Sequence, residues 1–121
     1  MRLAKWVFNA AGIYGLVCLT PFLFLEKQIA APAAQMPHPE YFYGFILVAI
    51  ACQVLFLLIA RDPVRLRAAM IPAVIEKLPF GLLVPLLWMQ GRVATSILAF
   101  AVIDIIWGLL FLACWLKTPK A

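Results

Sequence analysis

Ionisable side chains inside long apolar stretches are the residues of this sequence most able to do chemistry. Glu76 and Lys77 interrupt one apolar stretch, Asp104 interrupts another, and Gln53 lies in a third. Such groups are costly within a membrane and usually face protein or water. A buried carboxyl group there can exchange a proton, hold a polar ligand or form an ion pair with lysine. The candidate binding site is therefore the polar cluster of Gln53, Glu76, Lys77 and Asp104.

The composition places this polar cluster in a membrane protein. The 121 residues are 67% hydrophobic and 12% charged, whereas soluble domains are about half apolar and about a quarter charged. A soluble chain of this length could not bury so much apolar surface. The net charge of +5 does not indicate nucleic-acid binding, because the basic residues lie at the ends of apolar stretches. We expect a single transmembrane domain over 1–121, with the lipid bilayer as its partner.

Four apolar stretches are long enough to cross a bilayer as helices. About 20 residues, each rising about 1.5 Å, span the hydrocarbon core. Short connections make sequential helices antiparallel neighbours. The sequence therefore predicts an all-α fold, a membrane four-helix up-down bundle. The predicted spans are 6–25, 41–60, 68–88 and 93–116.

Lysine and arginine are distributed unequally between the two sides of this predicted bundle. Basic residues concentrate on the cytoplasmic side of membrane proteins. One side holds only Lys27 and Arg92. We therefore expect both termini in the cytoplasm (N-in/C-in) and a multi-pass location in the inner, cytoplasmic membrane. The side predicted to face the cytoplasm holds Arg2, Lys5, Arg61, Arg65, Arg67, Lys117 and Lys120.

A basic segment follows the second span and contains Arg61, Arg65 and Arg67. It also contains Asp62 and Pro63, a pair typical of a helix start, because Asp caps free backbone N–H groups and Pro fits the first helical position. We expect the third helix to begin there as an amphipathic turn. The three arginines are candidates for binding anionic lipid headgroups, although topology alone also accounts for them.

The depths of the polar residues predict how they pair. Gln53 and Glu76 lie about 10 Å and about 12 Å from the cytoplasmic ends of their spans. Because they are nearly level on neighbouring helices, we expect a Gln53–Glu76 hydrogen bond. Glu76 and Lys77 are adjacent and diverge around the helix, so they should pair poorly. Lys77 then needs another partner, and Asp104 is the nearest opposite charge in depth.

A proline and two small residues bear on whether a cavity lies beside the polar cluster. Pro79 frees the backbone carbonyl four residues earlier, next to Glu76. A helix kinked in this way can line a small polar cavity, or its neighbours can repair it. Ala101 and Gly108 share a helical face with Asp104, and small residues there indicate an interior face.

No sequence motif points to a reaction. A phosphate loop, a nucleophile elbow, a haem motif and a zinc cluster are all missing, so we predict no metal and no cofactor. Cys18, Cys52 and Cys114 each lie in an apolar stretch without CxxC spacing. We interpret them as small apolar residues.

A series of short motifs runs along the chain from His38 onward. In order they are His38-Pro-Glu-Tyr-Phe-Tyr-Gly44, Gln53, Arg61-Asp-Pro63, Glu76-Lys-x-x-Phe-Gly81 and Asp104-x-x-Trp-Gly108. Together they resemble a group of small bacterial four-helix integral membrane proteins of no assigned activity. The resemblance implies no reaction. Four-helix drug exporters have a similar length, but their key carboxylate lies in the first helix, where this chain has no acidic residue.

Three functions stay open at this point. The first is a non-catalytic accessory or structural role beside other membrane proteins, which the lack of motifs favours. The second is a carrier or binder of a lipophilic small molecule that uses an intramembrane carboxylate. The third is an intramembrane enzyme with Glu76 and Asp104 as acid and base on a lipid. A dry core with Lys77 paired to Asp104 would support the first function, and a cavity lined by both carboxylates would support the others.

Overall fold

The computed structural model describes residues 2–25 and 37–120, and those ranges contain helices and no strand. A short 3₁₀ helix, Thr20–Phe24, follows the first α-helix, and another, Arg67–Ala69, precedes the third. With these turns included, all four helical segments are long and apolar enough to cross a membrane. The predicted all-α fold is thus confirmed. The α-helices are α1 (Arg2–Leu19), α2 (Pro39–Arg61), α3 (Met70–Met89) and α4 (Thr95–Lys117).

The helix ends follow mainly from prolines. Helix α1 gives way to a 3₁₀ turn at Pro21, whose ring removes a backbone donor and disturbs the preceding turn. Helix α2 begins with Pro39 at its first position, where a missing N–H group costs nothing.

Lys27, on which part of the predicted orientation rests, lies outside the described residues.

The prediction that Asp62 and Pro63 start the third helix is wrong. Asp62 instead ends α2, and its backbone N–H donates to the carbonyl of Ile59. Its carboxylate lies 3.4 Å from the backbone N of Arg65, so the capping contact closes a turn and does not start a helix. Helix α3 begins only at Met70. Proline is common both at a helix start and just after a helix end. Here Pro63 follows the end of α2.

The helices pack mainly in pairs. Helix α1 lies against α2 and α3 lies against α4, whereas α1 meets α4 less extensively and α2 meets α3 only slightly. An aromatic cluster of Phe8, Phe56 and Phe111 joins α1, α2 and α4. The rings of Phe8 and Phe111 stack with centroids 4.3 Å apart, and Phe56 packs edge-on against both. All three residues are fully buried, so this part of the bundle is closed and apolar.

Two glycines bring α3 and α4 close together. A Cβ atom at Gly81 would lie 2.5 Å from Cγ1 of Ile105, and one at Gly108 would lie 2.6 Å from Cδ2 of Leu78. Any larger residue would therefore separate the two helices. Small residues allow close backbone approach in membrane helices. This approach places the side chain of Lys77, on α3, opposite Asp104 on α4.

The outer surface of the bundle is apolar. Within an apolar stretch of 18 residues in each span, between 22% and 28% of the residues are buried. The exposed positions carry large aliphatic and aromatic side chains such as Val48, Leu82 and Leu109. A continuous apolar surface of this kind marks contact with a membrane or a partner, and it surrounds all four helices.

Candidate functional site

A cavity of about 220 Å³ lies among the four helices. All four residues of the polar cluster line it, so the structure brings together the residues that the sequence singled out. Few polar groups set in apolar walls are typical of small-molecule sites. The remaining lining consists of Tyr14, Gly15, Cys18, Leu19, Phe22, Phe45, Ala49, Phe80, Ile97 and Phe100.

Lys77 forms the centre of the polar cluster. Its Nζ lies 3.5 Å from Oδ1 of Asp104, so the predicted Lys77–Asp104 pair is confirmed. The same Nζ also lies 3.9 Å from Oε2 of Glu76, within ion-pair distance but beyond that of a hydrogen bond, so these neighbours pair only weakly, as the sequence predicted. The backbone directions diverge, but the flexible four-carbon chain of Lys77 bends its ammonium group to lie between the two carboxylates. One cation therefore serves two acids.

The Lys77 side chain is shielded from its surroundings. It is 8% exposed, against 26% for Glu76 and 22% for Asp104. Its Nζ lies 5.7 Å from the centroid of the Phe56 ring, at the outer range of a cation–π contact. The aromatic cluster thus closes one side of the polar cluster.

Gln53 does not form the predicted hydrogen bond with Glu76. Its Nε2 donates to the backbone carbonyl of Ala49 at 2.8 Å, one turn earlier on the same helix. Such a local acceptor is already oriented and requires no cross-helix alignment. Gln53 and Glu76 nevertheless line the same cavity, so the two side chains face one space without bonding to each other.

Gly15 accommodates the Gln53 side chain. A Cβ atom at Gly15 would collide with the Oε1, Cδ and Cγ atoms of Gln53. The carboxamide therefore occupies the space that a side chain on α1 would take. This explains how a glutamine that is 1% exposed fits into a helix contact.

Two acceptor atoms of the cavity receive no hydrogen bond from the described part of the chain. Among the described residues, nothing donates a hydrogen bond to Oε1 of Gln53 or to Oε2 of Glu76, and both atoms are buried. A buried polar atom without a partner costs about 1–3 kcal/mol. The cavity therefore has an unmet demand for hydrogen-bond donors.

Sequence reasoning missed Tyr14 and the aromatic walls. Tyr14 lines the cavity, and its ring centroid lies 5.9 Å from that of Trp107 on α4. Tyrosine usually occurs near the ends of membrane spans. A tyrosine in the middle of the first predicted span, as Tyr14 is, was therefore the feature of the sequence that indicated a polar interior.

The cysteines differ in their surroundings. Cys114 is buried, while Cys18 and Cys52 are half-buried, and all three are free thiols. Cys18 lies in the cavity wall. The interpretation as small apolar residues fits Cys114 best.

The basic segment contains two different environments. Nε of Arg67 donates to the backbone carbonyls of Trp115, at 3.1 Å, and Thr118, at 2.8 Å, and its guanidinium lies 4.5 Å from the centroid of the Trp115 ring. This geometry gives Arg67 the role of capping α4 instead of facing lipid headgroups. Arg61 and Arg65 are exposed and border a shallow groove. For these two residues, headgroup binding stays a prediction.

No known protein family, curated protein sequence or solved structure matches this chain. The resemblance to small bacterial four-helix membrane proteins therefore stays a prediction, and the functional argument rests on the geometry of the cavity.

Proposed function

We propose that this chain is a multi-pass protein of the inner, cytoplasmic membrane that binds a small lipophilic molecule beside the polar cluster. The observation that carries the proposal is the cavity of about 220 Å³ among the helices, which Glu76 and Asp104 line within apolar walls. Ligand sites commonly range over about 300–1,000 Å³. The cavity therefore suits a small ligand. A lipophilic ligand dissolves in the bilayer and enters the cavity from there.

We also infer an up-down bundle with both termini in the cytoplasm. Along α1, Phe8 pairs with Phe111 whereas the later Tyr14 pairs with the earlier Trp107, as antiparallel helices require. The excess of basic residues at the predicted cytoplasmic side supports the orientation.

In this topology the cavity lies toward the side away from the cytoplasm. Its walls include Phe22 just after α1, Phe45 in the first half of α2 and Ile97 in the first turn of α4. The aromatic cluster, which includes Phe8 and Phe111, occupies the cytoplasmic half of the bundle. A ligand then reaches the polar cluster from the outer half and meets a closed apolar barrier beyond it.

The ion pair between Lys77 and Asp104 also supports a purely structural role, since each charge neutralises the other. It does not account for Glu76, whose Oε2 accepts no hydrogen bond from the described residues. Nor does it account for the partly open cavity that the described residues form beside both carboxylates. Ligand binding accounts for both features.

A cavity-filling substitution tests the proposal. Ile97→Trp places a large ring into the cavity wall at the start of α4, and Val102→Trp places the same ring on an outward position of that helix, where the native side chain is 55% exposed. Native mass spectrometry of protein purified in a neutral detergent then measures any bound small molecule. We expect wild type and Val102→Trp to retain a bound lipophilic species that Ile97→Trp has lost.

The thermal unfolding of the same three proteins provides the second measurement. A ligand at about 100 times its Kd stabilises the folded state by about 2.7 kcal/mol. Adding the lipophilic species identified by mass spectrometry should therefore raise the Tm of wild type and of Val102→Trp, but not the Tm of Ile97→Trp. An equal response of all three proteins would show that the binding lies outside the cavity and would contradict the proposal.

A further inference from the structure

The lining of the cavity indicates which class of small molecule it binds. Resting on the proposed function, we propose that the site takes a small apolar amine, with a primary or secondary ammonium group at the polar cluster and a hydrocarbon body among the phenylalanines. Charge, hydrogen-bond demand and the nature of the walls each point to this class.

The polar cluster has more negative than positive charge. Two carboxylates, Glu76 and Asp104, face one ammonium, that of Lys77. Among the described residues, the other titratable side chains in the cavity wall, Tyr14 and Cys18, add no cation. A ligand that brings one positive charge completes the balance, whereas a ligand carboxylate or phosphate would add a third negative charge at a site of low dielectric.

Hydrogen-bond demand is a second, independent observation. Gln53 is 1% exposed, lines the cavity, and its Oε1 accepts no bond from the described residues. Oε2 of Glu76 is also a buried atom that accepts no hydrogen bond from the described residues, although Nζ of Lys77 lies 3.9 Å away. Both atoms only accept while Glu76 is ionised, so the complementary ligand group must carry N–H or O–H donors. A primary ammonium offers three N–H donors, more than these two acceptor atoms require.

The cavity walls suit the rest of such a molecule. Phe22, Phe45, Phe80 and Phe100 come from four different helical elements and all line the cavity. Aromatic faces attract organic cations and also bury hydrocarbon. A quaternary ammonium would gain from the rings but would leave Oε1 of Gln53 without a donor, so the structure favours an amine that keeps its N–H groups.

Three matched probes test the inference on the full chain. The protein is placed in nanodiscs of zwitterionic phosphatidylcholine, which attract no probe by net charge, and binding is measured by equilibrium dialysis. The probes are 4-phenylbutylamine, 4-phenylbutanol and trimethyl-(4-phenylbutyl)ammonium, which share one hydrocarbon body. We expect the primary amine to bind about tenfold or more tightly than either of the others, because a charged hydrogen bond in a buried site is worth at least that factor.

A substitution identifies the residue responsible. Glu76→Gln should weaken amine binding about tenfold and leave binding of the alcohol nearly unchanged. Glu40→Gln makes the same chemical change at an exposed carboxyl group outside the cavity and should change neither. If Glu76→Gln fails to fold, the ranking of the three probes on wild type still decides the question.

The outcomes separate the ligand class from the proposed function. If the alcohol or the quaternary cation binds as tightly as the primary amine, and Ile97→Trp abolishes that binding, the amine class is overturned while ligand binding in the cavity stands. If Ile97→Trp leaves the binding of every probe unchanged, no probe occupies the cavity, and the proposed function falls together with the amine class.

Discussion

At the scale of single residues, three charges act as one unit. Lys77 is almost entirely enclosed, and its Nζ contacts a carboxylate oxygen of Glu76 and of Asp104. A buried ion pair contributes little net stability compared with apolar residues of the same shape, but removing one member leaves an uncompensated charge. The polar cluster should therefore tolerate paired substitutions better than single ones.

The first prediction follows from this coupling. Lys77→Met leaves two carboxylates without their cation, and we expect a loss of about 3–5 kcal/mol in the free energy of unfolding. Adding Asp104→Leu should recover part of that loss, because the second change removes one of the stranded charges. A double-mutant cycle on unfolding in mixed detergent micelles measures the coupling. Strictly additive losses would show that the two side chains do not interact.

The second prediction concerns the contact between Gly15 and Gln53. Gly15→Ala places a methyl group where the Gln53 carboxamide lies, and overpacking of this kind costs about 1–3 kcal/mol. Gly44→Ala is the matched control, since a Cβ atom there meets no atom of the described residues within 4 Å. The control should be neutral or stabilising by about 0.5–1 kcal/mol, as expected for glycine replaced inside a helix. Denaturant-induced unfolding measures the free energy of unfolding of each variant against that of wild type.

Rescue distinguishes the Gly15 mechanism from general damage to α1. Combining Gly15→Ala with Gln53→Ala removes the colliding carboxamide, so the double variant should be more stable than Gly15→Ala alone. If the second change makes the protein still less stable, the collision is not the cause.

Depth and charge along the helices were enough to predict some residue contacts. The Lys77–Asp104 pair was predictable because both quantities can be read from the sequence. The partner of Gln53 was not, because the choice between the Ala49 carbonyl and the Glu76 carboxylate depends on helix rotation and on a side-chain rotamer. The depth of a residue along its helix determines neither the rotation of the helix nor the rotamer of the side chain.

At the scale of elements, the basic segment joins the start of α3 to the end of α4. Arg67 donates from one Nε atom to two carbonyls near the C-terminus of α4 and stacks on Trp115. Carbonyls at a helix end lack partners within the helix and carry partial negative charge. The guanidinium therefore fixes the end of one helix against the beginning of another.

The third prediction tests this cap. Arg67→Lys keeps the charge but loses the Nε donor and the planar stacking surface, and we expect it to cost about 1–3 kcal/mol. Amide hydrogen exchange should become faster over residues 114–118. Arg65→Lys serves as the control, because the Arg65 side chain is 82% exposed and its replacement should leave exchange there unchanged. Equal effects of the two variants would rule out the cap.

The helices themselves were largely predictable, whereas their junctions were not. About 20 consecutive apolar residues have few alternatives to a spanning helix, so four helices followed directly. Asp62 and Pro63 misled because the same residues suit a helix start and the turn after a helix end. The cap by Arg67 joins residues that are 48 and 51 positions apart, and no local pattern indicates such a contact.

At the scale of the whole molecule, the proposed topology makes the bundle asymmetric along the membrane normal. The half with the aromatic cluster is closed and apolar, and the other half contains the cavity. An asymmetric interior gives the polar cluster access from one side, so the direction in which the chain is inserted decides which compartment borders the ligand site. The orientation is therefore part of the functional proposal.

The fourth prediction tests that orientation. In a background with Cys18, Cys52 and Cys114 changed to Ala, Arg92→Cys and Lys120→Cys each place one thiol at opposite proposed sides. A membrane-impermeant maleimide added to right-side-out vesicles should label Arg92→Cys at once and Lys120→Cys only after permeabilisation, because the basic residues are retained in the cytoplasm. The reverse pattern would place the cavity toward the cytoplasm, and labelling of both thiols in sealed vesicles would contradict the four-span topology itself.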